Sequence, residues 1–244
     1  MCSKSWFRSS IIFLTFLAST LSALAQSTSS PSPSPSPSGG FVRKVAKDQK
    51  AIWLSPLHIK PDDLKYLVPL AAATGVLIAT DRKTSGWVDR YGSLPPVSHD
   101  VSFGGSAYAE VGTTAGMYFF GRATGHPYLA RTGALATEAL LDATILTEVL
   151  KVSAQRMRPD DGTGDGSFFH HGSSFPSGHS SSSWAVATVI AYRYKQHPFI
   201  KYGAFAAAAA ISMSRYSGRN HFPSDILIGG AIGYGIGRFV YGHR

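Results

Sequence analysis

The sequence predicts an all-α domain, a compact bundle of about six core helices. Two observations carry that expectation: six apolar segments rich in Ala, Leu and Ile recur at helical lengths, and alternating strand-type patterns are sparse. No internal repeat is visible, and the length left after the N-terminal segments suits one domain with one core.

Taken in order, the chain opens MCSKSWFRSS, with Lys4 and Arg8, and continues into IIFLTFLASTLSALA with Ala23 and Ala25 at a small-residue site. A basic start, an apolar stretch and small residues at the cut define a signal peptide over 1–25, with cleavage before Gln26 and an exported, periplasmic or extracellular destination. Cys2, the only cysteine, leaves with it, which excludes a cysteine nucleophile and a Cys-based zinc site from the mature chain. Residues 26–40, QSTSSPSPSPSPSGG, bury too little apolar surface to fold and read as an extended Ser/Pro-rich linker. A single folded domain then occupies 41–244.

Within that domain KVAKDQKAIWLSPLHI reads as an amphipathic helical segment. The six core segments follow near Tyr66–Thr80, Phe103–Gly121, Thr132–Leu150, Ser180–Tyr194, Tyr202–Ser214 and Ile226–Tyr241. The longest uncharged run, Tyr66–Thr80, falls short of the roughly 18 to 20 residues of a membrane span. The third segment carries Glu138, Asp142 and Glu148, and mean hydropathy is +0.02. These features favour a soluble domain, with a multi-pass membrane protein as the alternative. Gly229, Gly233 and Gly237 give a small-xxx-small spacing, read here as a tight helix crossing inside the core.

The formal charge is +9, and loss of Lys4 and Arg8 leaves +7. Its lysines and arginines are scattered, with no basic run interleaved with aromatics, so nucleic acid is not the expected partner. Phosphorylated substrates are, with peripheral association at an anionic envelope surface.

Three stretches carry the chemistry. In FPSGH, Phe175–His179, a Pro-Ser-Gly turn runs into a helix whose first N–H groups and dipole cradle an anion. There Ser177 and Gly178 donate to it, and His179 reaches it from the first turn. In KVSAQRMRP, Lys151 and Arg158 are seven apart, almost two helical turns, so the expectation is one helix face ended by Pro159. Arg158 offers a planar fork to phosphate oxygens and Lys151 a point charge. In SRYSGRNHFPSD, Arg215 closes an apolar helix and requires an anionic partner. Pro223 suits the first position of a helix that places Asp225 within reach of the His221 imidazole.

K-x6-R-P, PSGH and S-R-x5-H-x3-D, in that chain order, resemble the phosphatidic acid phosphatase type 2 and vanadium haloperoxidase superfamily, which holds bacterial acid phosphatases and lipid phosphate phosphatases. The resemblance spans roughly Lys151–Asp225. It implies hydrolysis of phosphate monoesters, soluble or lipid, without metal or cofactor. In that scheme His221 is the nucleophile that becomes phosphohistidine, His179 the general acid and Asp225 the group that orients His221. Lys151, Arg158, Ser177, Gly178 and Arg215 would bind the phosphoryl group. The alternatives are a vanadate-dependent haloperoxidase, which is generally a longer chain, and a non-catalytic envelope protein that binds phospholipid head groups. The latter would need the cations but not His179, His221 and Asp225.

Between Pro159 and Pro176 lies DDGTGDGSFFHHGSS. Its calcium-loop spacing fails at the twelfth position, Gly172, where a bidentate Glu is needed. The loop is expected to rim the pocket, with Phe168, Phe169, His170 and His171 against the leaving group. Arg219 is expected to add a phosphate or rim contact.

Overall fold

A computed structural model describes residues 37–91, 95–161 and 164–244. The signal peptide and nearly all of the Ser/Pro linker read from the sequence lie outside the described residues. One compact unit covers Phe41–Arg244.

Among the described residues there are eight α-helices: α1 Pro37–Leu54, α2 Leu64–Tyr91, α3 Pro95–Phe103, α4 Ala107–Ala123, α5 Pro127–Ala154, α6 Gly178–Arg193, α7 Pro198–Ser217 and α8 Pro223–Gly242. Helix α1 begins at Pro37, four residues before the expected domain boundary. Helix α3 was not legible, because nine residues opening on Pro95-Pro96 show no clear period. The sequence segments for α2 and α4 to α8 are recovered, most ends extended, but α4 starts at Ala107 instead of Phe103 and α6 ends at Arg193 instead of Tyr194. Pro127, Pro198 and Pro223 each occupy the first helical position, where a missing N–H costs nothing.

Helix α6 is the centre, packed against α5, α7 and α8. The core is small-sided: Ala136, Ala139 and Ala143 of α5 meet Ala185 and Val189 of α6 and Val240 of α8, with Leu135, Leu140 and Ile236 filling the gaps. The Gly229/Gly233/Gly237 stripe is the α6–α8 crossing. A Cβ on Gly233 would lie 2.1 Å from the Ser181 carbonyl oxygen, and one on Gly229 2.5 Å from that of Ser177. No side chain fits, so the two backbones meet directly. That contact fixes the N-terminus of α6 beside the N-terminus of α8.

Helix α2 differs. Its first half, residues 64–80, is exposed or half-exposed at every position, including Val68 (60%) and Val76 (63%). Burial begins abruptly at Asp81, which is 1% exposed. The uncharged run counted in the sequence stops at Asp81, but the helix does not, because that carboxylate is paired inside the protein. Pro61–Gly86 is therefore long and apolar enough to cross a membrane, with only 6% of its most apolar window buried. This corrects the expectation that no segment reaches that length.

Candidate active site

Four helix ends converge at one end of the bundle: the C-termini of α5 and α7 and the N-termini of α6 and α8. Thr147 of α5 donates to Ser181 of α6 at 2.9 Å, and the Ser177 N–H donates to the Asp225 carbonyl at 3.0 Å. Beyond α7, the N–H groups of Asn220 and His221 fold back onto the Arg215 carbonyl at 3.0 and 3.2 Å. That reverse turn sets His221 beside Arg215.

Lys151 and Arg158 reach the same site by a different path from the one expected. Helix α5 ends at Ala154, well before Pro159, and Gln155 turns the chain in the left-handed region at φ 45°. Arg158 is thus a loop residue, not the second member of a helix face. Lys151 is nearly buried, bonded to Glu148 at 2.6 Å, and its Nζ lies 3.4 Å from where a Gly178 Cβ would stand. A side chain at 178 would press on that ammonium. Glycine keeps the turn open to it.

Ser177 is the N-cap of α6 and accepts from the Ser180 N–H at 3.4 Å. Since its own N–H is committed to Asp225, the N–H groups left without an intrahelical partner at this end are those of Gly178 and His179. Arg215 donates through Nη1 to Ser102 of α3, a partner the sequence did not offer. Among the described residues the Nε groups of Arg158 and Arg215 are buried with no acceptor. Buried guanidinium donors without acceptors mark a place for an anion.

Both histidines face this positive cluster. Burial, then the charges of Arg215, His221, Lys151 and Arg158, hold the His179 imidazole down to about 3. Burial likewise lowers His221 to about 4, against the opposing pull of Asp225. The other side of the His221 ring is fixed: Nδ1 lies 2.7 Å from the Ser174 carbonyl, which accepts its proton, and 3.7 Å from Asp225 Oδ2. The direct carboxylate–imidazole hydrogen bond expected from the four-residue spacing is therefore replaced by a carbonyl. Asp225 acts on the ring through its charge and through Ser174, whose hydroxyl it accepts at 2.5 Å. With Nδ1 carrying the proton, Nε2 is the nitrogen that keeps its lone pair.

Asp225 also accepts the Phe222 N–H at 2.8 Å and Arg156 Nη1 at 2.6 Å. Arg156 is the residue the sequence reading missed. It is 1% exposed, its guanidinium stacked between Phe168 (4.7 Å) and Phe222 (4.4 Å), and it also bonds Ser224, the Gly166 carbonyl and Asp81. No spacing rule separates it from a solvated arginine two residues before Arg158.

The described residues of the 155–177 loop are packed rather than forming a simple rim. Phe168 covers Arg156 and meets Phe175 edge to face at 5.6 Å, so it supports the site from behind instead of touching a leaving group. Gly172 sits where a Cβ would be 1.9 Å from the Arg156 carbonyl, which explains a glycine at that position. Phe169, His170 and His171 are exposed on the loop surface. Arg219 donates to the Pro159 carbonyl at 2.9 Å, tying the Arg158 loop to the His221 loop.

A bundle end where a helix N-terminus, two arginines, a lysine and two histidines face one another offers N–H donors and positive charge to an anion. Residues 132–243 match the model of the PAP2 superfamily. It is 38% identical over 122 residues to a PA-phosphatase related-family protein of Dictyostelium discoideum, covering 43% of this chain and 45% of that protein. It is 26% identical over 198 residues to the Lipid A 1-phosphatase of Porphyromonas gingivalis, covering 75% of this chain and 40% of the relative. The chain thus spans less than half the length of these curated relatives. Its fold is that of the crystal structure of a transmembrane PAP2 type phosphatidylglycerolphosphate phosphatase from Bacillus subtilis, at TM-score 0.55 and 24% identity over 72% of this chain and 94% of that one.

Proposed function

We propose that the chain hydrolyses phosphate monoesters through a phosphohistidine on His221, and that its substrates are phosphorylated lipids met at a membrane to which α2 attaches the domain. The observation that carries the reading is the convergence of Lys151, Arg158, Arg215 and His221 around His179. Binding alone calls for the cations. It gives no reason for a second imidazole with one nitrogen fixed by Ser174 and the other free.

In the proposed cycle the cations and the α6 N-terminus hold the three non-bridging oxygens, where they neutralise charge that builds in the transition state. His221 Nε2 forms the N–P bond as the ester P–O bond breaks, and the departing oxygen takes a proton from His179. Neutral His179 then accepts a proton from water as its oxygen attacks phosphorus, and the N–P bond breaks. No step draws on a metal ion, so activity should survive chelation.

The lipid part of the reading is supported by the bare apolar half of α2 and by the lipid-phosphatase names of two of the three similar proteins. A panel tests both parts: p-nitrophenyl phosphate, a short-chain alkyl phosphate, and phosphatidic acid in phosphatidylcholine vesicles, each with and without EDTA. Turnover of all three in EDTA, with the vesicle substrate preferred, is expected. Loss of activity restored by magnesium or zinc contradicts the metal-free chemistry, and a preference for the soluble esters contradicts the lipid assignment.

A further inference from the structure

Asp81 has no role in the scheme above, yet it is one of the most completely buried charges among the described residues. Asp81 Oδ2 accepts Arg156 Nη2 at 2.8 Å and the Ser224 hydroxyl, while Oδ1 lies 3.3 Å from the Ser224 N–H. The opposite edge of the same guanidinium bonds Asp225 at 2.6 Å. One arginine thus bridges two carboxylates from helices 144 positions apart in the chain, and the second of those carboxylates faces His221.

We propose that Asp81, acting through Arg156 and Asp225, is a positioning residue that keeps a net negative charge behind His221 during phosphoryl transfer. The charge count gives the reason. Alone, Arg156 and Asp225 form a neutral pair, and Asp225 would have little charge left to offer the ring. With Asp81 included, the buried group carries one net negative charge. When Nε2 bonds to phosphorus while Nδ1 keeps its proton, the imidazole becomes cationic. That positive charge forms facing Lys151, Arg158 and Arg215, which oppose it, and the Asp81–Arg156–Asp225 group compensates from behind.

Geometry works in the same direction. The fork of Arg156 is locked by stacking between Phe168 and Phe222 and by the Gly166 carbonyl, so a carboxylate held at one edge fixes the carboxylate at the other. Asp81 stands where the bare half of α2 gives way to its packed half. The proposed membrane-attached helix therefore contributes directly to the wiring of the nucleophile.

The inference deepens the phosphohistidine reading and rests on it for its kinetic consequence, but its electrostatic part can be measured without turnover. Asp81→Asn keeps the size of the side chain and one acceptor oxygen for Arg156 and the Ser224 hydroxyl, removes the charge and turns its NH2 toward the Ser224 N–H; Asp81→Glu keeps the charge. The charged groups facing His221 are Lys151 from α5, Arg156 and Arg158 from the following loop, His179 from α6, Arg215 from α7 and Asp225 from α8, with Asp81 and Tyr216 behind. All remain in both variants except Asp81. Removing a negative charge makes the field at His221 more positive, so the imidazolium is disfavoured and its pKa falls, by about one pH unit for a charge roughly 9 Å away at an effective dielectric constant of about 20.

The experiment follows the His221 ring resonances against pH by NMR in the wild-type chain and both variants, and measures kcat and KM on p-nitrophenyl phosphate. In Asp81→Asn, His221 is expected to titrate about one unit lower and kcat to fall roughly 10- to 100-fold with KM little changed, while Asp81→Glu recovers both. Unchanged His221 titration in Asp81→Asn, or equal losses in the two variants, overturns the proposal. If the wild-type chain turns over no phosphate ester, the phosphatase reading fails, while the titration still decides whether Asp81 sets the field at His221.

Discussion

His221 and His179 face the same cations, yet the protein holds them in opposite ways. His221 is 3% exposed and tied from behind by the Ser174 carbonyl and Asp225, with Arg156 and Asp81 further back. His179 stands on the first turn of α6 against the α3–α4 turn, where a Cβ on Gly105 would come 3.2 Å from its ring. The charges that act on it most, after burial, are those of Arg215, His221, Lys151 and Arg158. A group that must carry positive charge while bonded to phosphorus needs an anion behind it. A group that must give up a proton benefits from having none, because surrounding cations make the proton easier to lose.

The contrast can be broken most completely at His221. His221→Ala should lower turnover of every ester by roughly 10⁴ to 10⁶, as expected when a covalent nucleophile is removed. His179→Ala should act unevenly: p-nitrophenolate leaves readily as an anion, whereas an alkoxide needs the proton. A loss of roughly 10² to 10⁴ is expected on the alkyl phosphate and a much smaller one on the aryl ester. Equal losses on the two esters would remove the distinction drawn between the histidines.

Asp225→Asn strikes stability as well as rate. Both carboxylate oxygens already accept, one from Arg156 and the other from Ser174 and the Phe222 N–H. Either amide orientation sets an NH2 against a donor. Loss of about 3 kcal/mol in unfolding free energy should accompany the fall in kcat, and a thermal melt beside the kinetics would read both.

The smallest effect concerns pH. With His221 at about 4 and His179 at about 3 in the unliganded chain, both rings are neutral through the mildly acidic range. The nucleophile is then ready, and the acid's proton must arrive with the substrate monoanion. As pH rises, kcat/KM should hold level above about 4 and fall as the phosphate loses its second proton near about 6. An acidic limb near the ordinary histidine value would show that burial does not hold these rings down.

The chemistry of the cradle was legible because it is local. Gly178 before a helix, Pro223 at a first helical position and Arg215 at the end of an apolar run each carry their meaning within a few residues. What stayed hidden depends on distant partners. The Lys151–Arg158 spacing suggested a shared helix face, but Gln155 turns the chain, and only tertiary packing returns Arg158 to the site. A charge that closes an apolar run needs a partner, and this holds for Asp81 as for Arg215, although the Asp81 partner lies 75 residues away. Likewise, the four-residue step from His221 to Asp225 fixes their proximity but not which acceptor takes the Nδ1 proton. That depends on Ser174, delivered by a loop whose path the sequence does not show.

The central claim is that His221 carries the phosphoryl group. The most direct measurement is acid or denaturant quenching during turnover of a ³²P-labelled ester, followed by testing the labelled protein for the acid-labile, alkali-stable bond of a phosphohistidine and locating it by peptide mapping. The account requires label at His221 in the wild-type chain, accumulation in His179→Ala with a good leaving group, and none in His221→Ala. Label found in His221→Ala, or at another residue in the wild-type chain, would contradict it.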